Sequence, residues 1–159
     1  MIIGDSSALI ALSIADCLEY LTLKFGKLYV PKAVFDELSL LDKNQSDKLN
    51  KFLSDKIIAV SNKKFKTLWI GSGESEAIDL YFQLNADLLL IDDKRARNFA
   101  KMNGIHTIGS LGILLMAKSD GYISNLKPVL SILVTSGVYI SATVIEDGLE
   151  KCGEKRIKF

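Results

Sequence analysis

Leu88-Leu89-Leu90-Ile91-Asp92-Asp93-Lys94-Arg95-Ala96-Arg97 is the stretch that decides the fold. Its first four residues are apolar without interruption, the pattern of a strand buried on both faces at the centre of a parallel sheet. Two carboxylates close the strand, and a helix is predicted from Lys94 to about Asn103. A strand that needs cover on both faces predicts helices on both faces of the sheet.

The same alternation extends outward along the chain. Upstream, Ile2-Ile3-Gly4 reads as a strand, followed by Ala8 to Ala15, a helix apolar nearly all round with Ser6 or Ser7 as its N-cap. Leu18 to Lys24 is a short helix and Leu28-Tyr29-Val30 a strand. Pro31 suits the first turn of a helix reaching Leu41. A polar turn from Asp42 to Ser46 precedes an amphipathic helix from about Asp47 to Leu53, and Ile57-Ile58-Ala59-Val60 is a strand. Gly71-Ser72-Gly73 breaks the chain before a helix running to Leu84. Downstream come a strand at Ile105 to Ile108, a helix from Leu111 to Lys118, and two further helical patterns after Gly121. Pro128 fits a first turn, Ser141 or Thr143 a cap, and Val144, Ile145, Leu149 and Cys152 a stripe at helical spacing. The chain is thus expected to be one α/β domain over residues 1–159, with 121–159 a helical extension packed on the same core.

Composition removes several function classes. With 48% apolar and 25% charged residues, the balance is that of a globular domain, and no apolar run reaches membrane-spanning length. No basic flank or small-residue cleavage site follows Met1, so a cytoplasmic protein with no membrane contact is expected. Cys17 and Cys152 form neither a metal pair nor a disulfide framework and read as core residues. His106 is the only histidine and lies in a short strand-like piece, which disfavours zinc sites and histidine-base chemistry. The net charge is only +1, but basic residues cluster at Lys63, Lys64 and Lys66, at Lys94, Arg95, Arg97 and Lys101, and at Lys151, Lys155, Arg156 and Lys158.

The candidate chemistry lies in four acidic fragments near one edge of the predicted sheet. Asp5 follows the first strand, where open parallel sheets bind ligands, although an N-capping role also fits. In the helix after Pro31, Val34, Leu38 and Leu41 make the apolar stripe; Glu37 borders it and Asp36 faces away. Ala77, Ile78 and Tyr81 follow Glu74 at i+3, i+4 and i+7, placing Glu74 on the apolar face, while Glu76 shares the polar side with Asp79 and Gln83. An unpaired charge facing a core needs a partner. Asp92 closes the apolar strand in phase with Ala96 and Phe99, and Asp93 stands four residues before Arg97, the spacing of a helical ion pair. Asp92 is assigned to the site and Asp93 to support, with exchange of the two left open. Oxygen ligands without His or Cys favour Mg²⁺ or Mn²⁺. Such an ion binds a phosphodiester oxygen, acidifies a water and stabilises the leaving oxygen.

An ordered set of fragments resembles the PIN domain (PilT N-terminus-like nuclease), of the kind found in VapC toxins and in a PIN-like subgroup of prokaryotic proteins. They are Asp5-Ser6-Ser7-Ala8-Leu9-Ile10, Val30-Pro31-Lys32-Ala33-Val34-Phe35-Asp36-Glu37-Leu38, Gly73-Glu74-Ser75-Glu76-Ala77-Ile78 and Leu90-Ile91-Asp92-Asp93-Lys94-Arg95-Ala96-Arg97. The likeness continues through Gly109-Ser110-Leu111-Gly112 and Ser136-Gly137 into the late Gly153-Glu154. It implies a three-layer α/β/α fold with a central parallel sheet and additional C-terminal helices, and metal-dependent cleavage of RNA. Asp5, Glu37, Glu74 and Asp92 match the family's acidic positions as catalytic and metal-holding residues, with Ser6 and Asp93 in support. Many relatives carry Asp where Glu74 stands, and Thr-x-Asp where this chain has Leu90-Ile91-Asp92.

The leading expectation is a Mg²⁺- or Mn²⁺-dependent endoribonuclease, the toxin of a VapBC-like pair, with Lys94, Arg95 and Arg97 on the RNA phosphates. Its implied partners are RNA, a small antitoxin protein and a second copy in a homodimer. The alternative is a catalytically weak PIN-like module that binds RNA or protein. A phospho-receiver or phosphatase-like domain is disfavoured, because Asp5-Ser6-Ser7 lacks a second aspartate two residues on.

Overall fold

The structure, a computed structural model, describes residues 1–65 and 69–154. Its strands are β1 (Ile2–Gly4), β2 (Leu28–Pro31), β3 (Ile57–Ile58), β4 (Leu88–Leu90) and β5 (Thr107–Ile108). All pair in parallel, in the order β3-β2-β1-β4-β5. The helices of the first half are α1 (Ser6–Ile14), α2 (Leu18–Phe25), α3 (Lys32–Ser39) and α4 (Lys43–Leu53). Those of the second half are α5 (Ser72–Gln83), α6 (Lys94–Met102), α7 (Ser110–Ser119), α8 (Leu126–Thr135) and α9 (Ala142–Lys151).

Two apolar cores flank the sheet, because successive strand residues point to opposite faces. Ile2, Leu28, Val30 and Leu90 pack with α1, α2, α7, α8 and α9. Ile3, Leu89 and Ile91 face the other way, onto Ala77, Ile78 and Leu80 of α5 and Ala96 and Ala100 of α6. The three-layer α/β/α arrangement expected from the unbroken apolar run is therefore present.

Several boundaries differ from the sequence reading, each for a local reason. Asp42 caps α4 by accepting from the Gln45 amide at 3.3 Å, so the helix begins at Lys43 rather than near Asp47. Gly71 is the N-cap of α5, which makes Ser72 and Gly73 its first turn instead of a break. Pro31 ends β2 and precedes α3, and α3 stops at Ser39, short of Leu41. Of the stripe predicted on α9, Ile145 and Leu149 are buried, Cys152 is half-buried and Val144 is exposed. Cys17 is buried, its Sγ donating to the Ala15 carbonyl at 3.3 Å, as a core cysteine should be. Lys66, Lys155, Arg156 and Lys158 of the basic clusters lie outside the described residues.

The last helices join the α1 side of the sheet, burying Leu126, Leu130, Leu133, Ile145 and Leu149 in the same core as α1 and α7. Asn125, at the N-cap of α8, makes no side-chain cap bond. Glu154 replaces it from the chain end: its carboxylate accepts from the Leu126 and Lys127 amides at 2.7 and 2.9 Å and pairs with Lys118 at 3.4 Å. Burial opposes that charge, but the two amides and Lys118 outweigh it and hold the carboxyl below its usual range. A depressed folded pKa gives stability that is present above the ordinary glutamate value and lost as pH falls through the folded one. Glu154→Gln should therefore cost about 0.5–2 kcal/mol, the worth of a lost cap, at neutral pH. The deficit against the wild type in urea unfolding should shrink below pH 4.5, the ordinary value.

Candidate active site

β1 has β2 on one side and β4 on the other, and the strand order runs outward in opposite directions from that pair. A parallel sheet opens a crevice beyond its carboxyl ends at such a reversal. Asp5 stands there directly after β1, its amide donating to the Leu90 carbonyl of β4 at 3.0 Å. Asp92 follows β4, after Ile91 has paired with Ile108 at 2.8 Å. Sheet pairing alone therefore brings two acids 87 positions apart to neighbouring strand ends.

Asp5 is only 1% exposed and is the N-cap of α1, with φ −98° and ψ 155°. Its Oδ2 accepts from the Ser7 hydroxyl at 2.6 Å and the Ser7 amide at 3.3 Å. Oδ1 is buried and has no hydrogen-bond partner among the described residues. Burial pushes the Asp5 carboxyl up to about 7; the Ser7 hydroxyl pulls against it, and the charge of Glu74 raises it further. The capping role expected of Ser6 or Ser7 thus falls to Asp5. Ser6 is released for another bond because its hydroxyl points at Glu37.

Glu37 reaches in from α3. Its Oε2 accepts from the Ser6 hydroxyl at 2.7 Å, and its Oε1 from the Gly73 amide at 3.1 Å and the Ser72 hydroxyl at 3.4 Å. The N-terminus of α5 is therefore capped from another helix, and Glu74, next to Gly73, is carried to within electrostatic reach of Asp5. Asp5, Ser6, Glu37 and Glu74 form one neighbourhood. Helix phase had correctly turned Glu37 inward and Asp36 outward: Asp36 is exposed and pairs with Lys32 at 2.7 Å.

Asp92 is tied differently. Its Oδ1 accepts from the Ser110 amide at 2.7 Å, at the N-terminus of α7, and stands 3.6 Å from the Arg97 guanidinium. No hydrogen bond joins it to the other three acids among the described residues. The Asp93–Arg97 ion pair read from spacing is not formed. Asp93 instead caps α6 by accepting from the Ala96 amide at 2.8 Å, and Arg97 turns back onto the strand end. Arg97 donates to the Ile91 carbonyl at 2.9 and 3.2 Å and to the Asp92 carbonyl at 3.2 Å. The carbonyls of Ile91 and Asp92, just past the end of β4, win over the exposed carboxylate. Lys94 and Arg95 are exposed at the start of α6.

The polar side assigned to α5 also needs correction. Asp79 is only 5% exposed, because residues 61–65 lie across the helix. Its Oδ1 accepts from the Lys64 amide at 2.9 Å, Glu76 pairs with Lys63, and Gln83 accepts from Ser61. Ser7, Ser110 and the Gly73 amide were not singled out as site contacts in the sequence. Ser7 stands beside Asp5, but only the fold shows that amides from α5 and α7 meet these acids.

Among the described residues, no three Asp, Glu, His or Cys side chains converge tightly enough to hold a metal ion as they stand. A groove of about 660 Å³ lies elsewhere, lined by Asp16, Lys48, Phe52 and Lys56, and none of the candidate acids borders it.

Asp5 contributes a pH dependence with a definite sign. A raised folded pKa means that stability is full below the ordinary aspartate value of 3.8 and is lost as pH rises through about 7. In protein stripped of divalent cations, Asp5→Asn should be more stable than wild type at pH 8, by on the order of a few kcal/mol. The advantage should fade toward pH 4 in thermal melts recorded across the range.

No curated protein matches the chain. A family model described as a PIN domain (DUF3368) matches residues 1–154. With a parallel α/β/α sheet and acids at its strand edge, the chain belongs to this PIN-domain family.

Proposed function

We propose that the protein is a metal-dependent endoribonuclease. PIN domains are in general nucleases that bind divalent metals, and this chain's nuclease-like fold agrees with that activity. One observation carries the finer reading: Asp5 keeps a bare, buried oxygen beside the charge of Glu74 at the switch point of the sheet. Two like charges so placed favour a cation between them.

The donor chemistry fits Mg²⁺ or Mn²⁺, since it offers carboxylate oxygens and neither sulfur nor imidazole. Asp5 and Glu74 would hold the ion directly. Glu37 and Asp92, already bonded to helix amides, would act through water, in keeping with an ion that takes one or two carboxylates itself. When bound, the cation supplies Lewis acidity toward the phosphodiester and toward the attacking water. Ser6 holds Glu37 in register with the start of α1, and Ser7 keeps Asp5 Oδ2 turned to its cap, leaving Oδ1 for the ion. Asp93 supports the site indirectly by fixing the first turn of α6. Lys94 and Arg95 would track the RNA backbone from that exposed turn; Arg97, engaged at the strand end, would reach a phosphate only through its remaining donors.

Residues 1–159 are proposed to act as one domain, with 121–159 its helical extension, because α8 and α9 share the core of α1. The toxin role, the small antitoxin partner, the homodimer and a cytoplasmic location complete the proposal on family likeness. No helix among the described residues is long and apolar enough to cross a membrane. The second reading, a non-catalytic RNA- or protein-binding module, draws on Asp92, whose carboxylate already has a cation neighbour in Arg97. Calorimetry separates the two: titration with Mn²⁺ should give saturable binding well below millimolar concentration, and no heat at millimolar metal would favour the module.

Asp5→Asn should abolish metal-dependent RNA cleavage while leaving circular dichroism unchanged; persistent cleavage would sink the assignment. Lys94→Ala and Arg95→Ala should each reduce the slope of log affinity against log salt by about 0.7 for single-stranded RNA.

A further inference from the structure

The glycines of this chain fall into groups by what surrounds them. Gly26, Gly104, Gly121, Gly137 and Gly153 have positive φ and open space where a Cβ would stand, as turn glycines do. Gly4, Gly112 and Gly148 lie against apolar side chains. The other three, Gly71, Gly73 and Gly109, have ordinary backbone angles: φ is −65° at Gly71 and −99° at Gly109, and Gly73 lies in a helix without positive φ. Any residue could adopt these conformations, and alanine is the better helix former at position 73.

What fills the missing Cβ space at these three positions is a carboxylate from the candidate site. A Cβ on Gly73 would stand 2.6 Å from Glu37 Oε2 and 2.7 Å from its Oε1. On Gly109 it would stand 2.8 Å from Asp92 Oδ1 and 2.8 Å from Arg97 Nη2. On Gly71 it would run into Glu74 Oε2, well inside contact distance. Each glycine lies at a helix start: Gly71 and Gly109 are the N-caps of α5 and α7, and Gly73 is in the first turn of α5.

We propose that Gly71, Gly73 and Gly109 are positioning residues, whose absent side chains let Glu74, Glu37 and Asp92 lie flat against the helix N-termini. The proposal rests on the reading of these acids as the cation site. In each case the obstructing atoms are the ends of side chains, not backbone, so an added methyl group displaces the acid and leaves the fold standing. Asp5, the fourth acid, needs no such clearance because Ser7 of its own helix fixes it.

Gly73→Ala is the sharpest test, with Gly109→Ala as a second site and Gly26→Ala as a control remote from the acids. Gly73→Ala should keep the fold by circular dichroism, its better helix propensity offsetting part of the lost Glu37 bonds, while weakening Mn²⁺ affinity at least tenfold by calorimetry. Shortening the acid with Glu37→Asp should weaken binding in the wild type but recover part of it in the Gly73→Ala background. Gly26→Ala should lower the melting temperature and leave Mn²⁺ affinity unchanged. Independently of any metal, Glu37→Gln should shift the residue 73 amide resonance in the wild-type background and not in Gly73→Ala. Unchanged Mn²⁺ affinity together with an unchanged Glu37-dependent amide shift in Gly73→Ala would overturn the proposal. If the wild type binds no Mn²⁺, the cation site fails, and the amide experiment still decides whether Gly73 positions Glu37.

Discussion

The amides at the start of a helix have no partner within the helix, and at the carboxyl edge of this sheet they are met by carboxylates. Asp5 answers the first turn of α1, Glu37 that of α5, Asp93 that of α6 and Asp92 that of α7. The same pairing satisfies buried donors, favours negative charge at the positive end of each helix dipole and collects acids at one edge. Two of these caps come from outside the helix they serve. Glu37 bonds an amide 36 residues away and Asp92 one 18 residues away, so capping here also fastens one element to the next.

That arrangement explains how a protein of nearly balanced charge keeps acids together when, among the described residues, no lysine pairs with Asp5, Glu37, Glu74 or Asp92. Amides, hydroxyls and the guanidinium of Arg97 compensate Glu37 and Asp92 where they stand. The compensation is uneven. Asp5 spends one oxygen on Ser7 and leaves the other buried and bare, while Glu74 makes no hydrogen bond among the described residues and raises Asp5 by its charge. A buried polar atom without a partner costs more than a bond gains, a deficit that Asp5 Oδ1 shares with Asp79 Oδ2 and Thr107 Oγ1.

The layers of the fold were legible in the sequence because they follow from local period. Leu88 to Ile91 reads as a doubly buried strand from composition alone, and the structure sends Leu89 and Leu90 to opposite cores. Helix phase likewise separated Glu37 from Asp36, since burial of Val34 and Leu38 fixes the rotation of α3. The rest depends on neighbours that local period does not reveal. Asp79 looked solvated until residues 61–65 crossed it, and Arg97 looked like the partner of Asp93 until the Ile91 and Asp92 carbonyls just past β4 claimed it. Asp5 was visible both as a cap and as a site residue, and the structure gives Oδ2 the cap and leaves Oδ1 buried with no hydrogen-bond partner among the described residues.

The four acids, equivalent in the sequence, are therefore unequal in the fold. Glu37 and Asp92 are held by bonds that exist without any ligand, so they contribute to folding as it stands. The charge of Glu74 opposes that of buried Asp5, and a divalent ion would offset the repulsion and give the bare oxygen a partner. On the proposed reading, binding there would displace the proton that burial favours on Asp5, which would couple cation affinity, proton release and stability at one residue. The Glu74 carboxylate lies against Gly71 at the start of α5, and from there its charge reaches Asp5. Gly71 leaves room for the Glu74 carboxylate at the start of α5, and Gly73 leaves room there for Glu37.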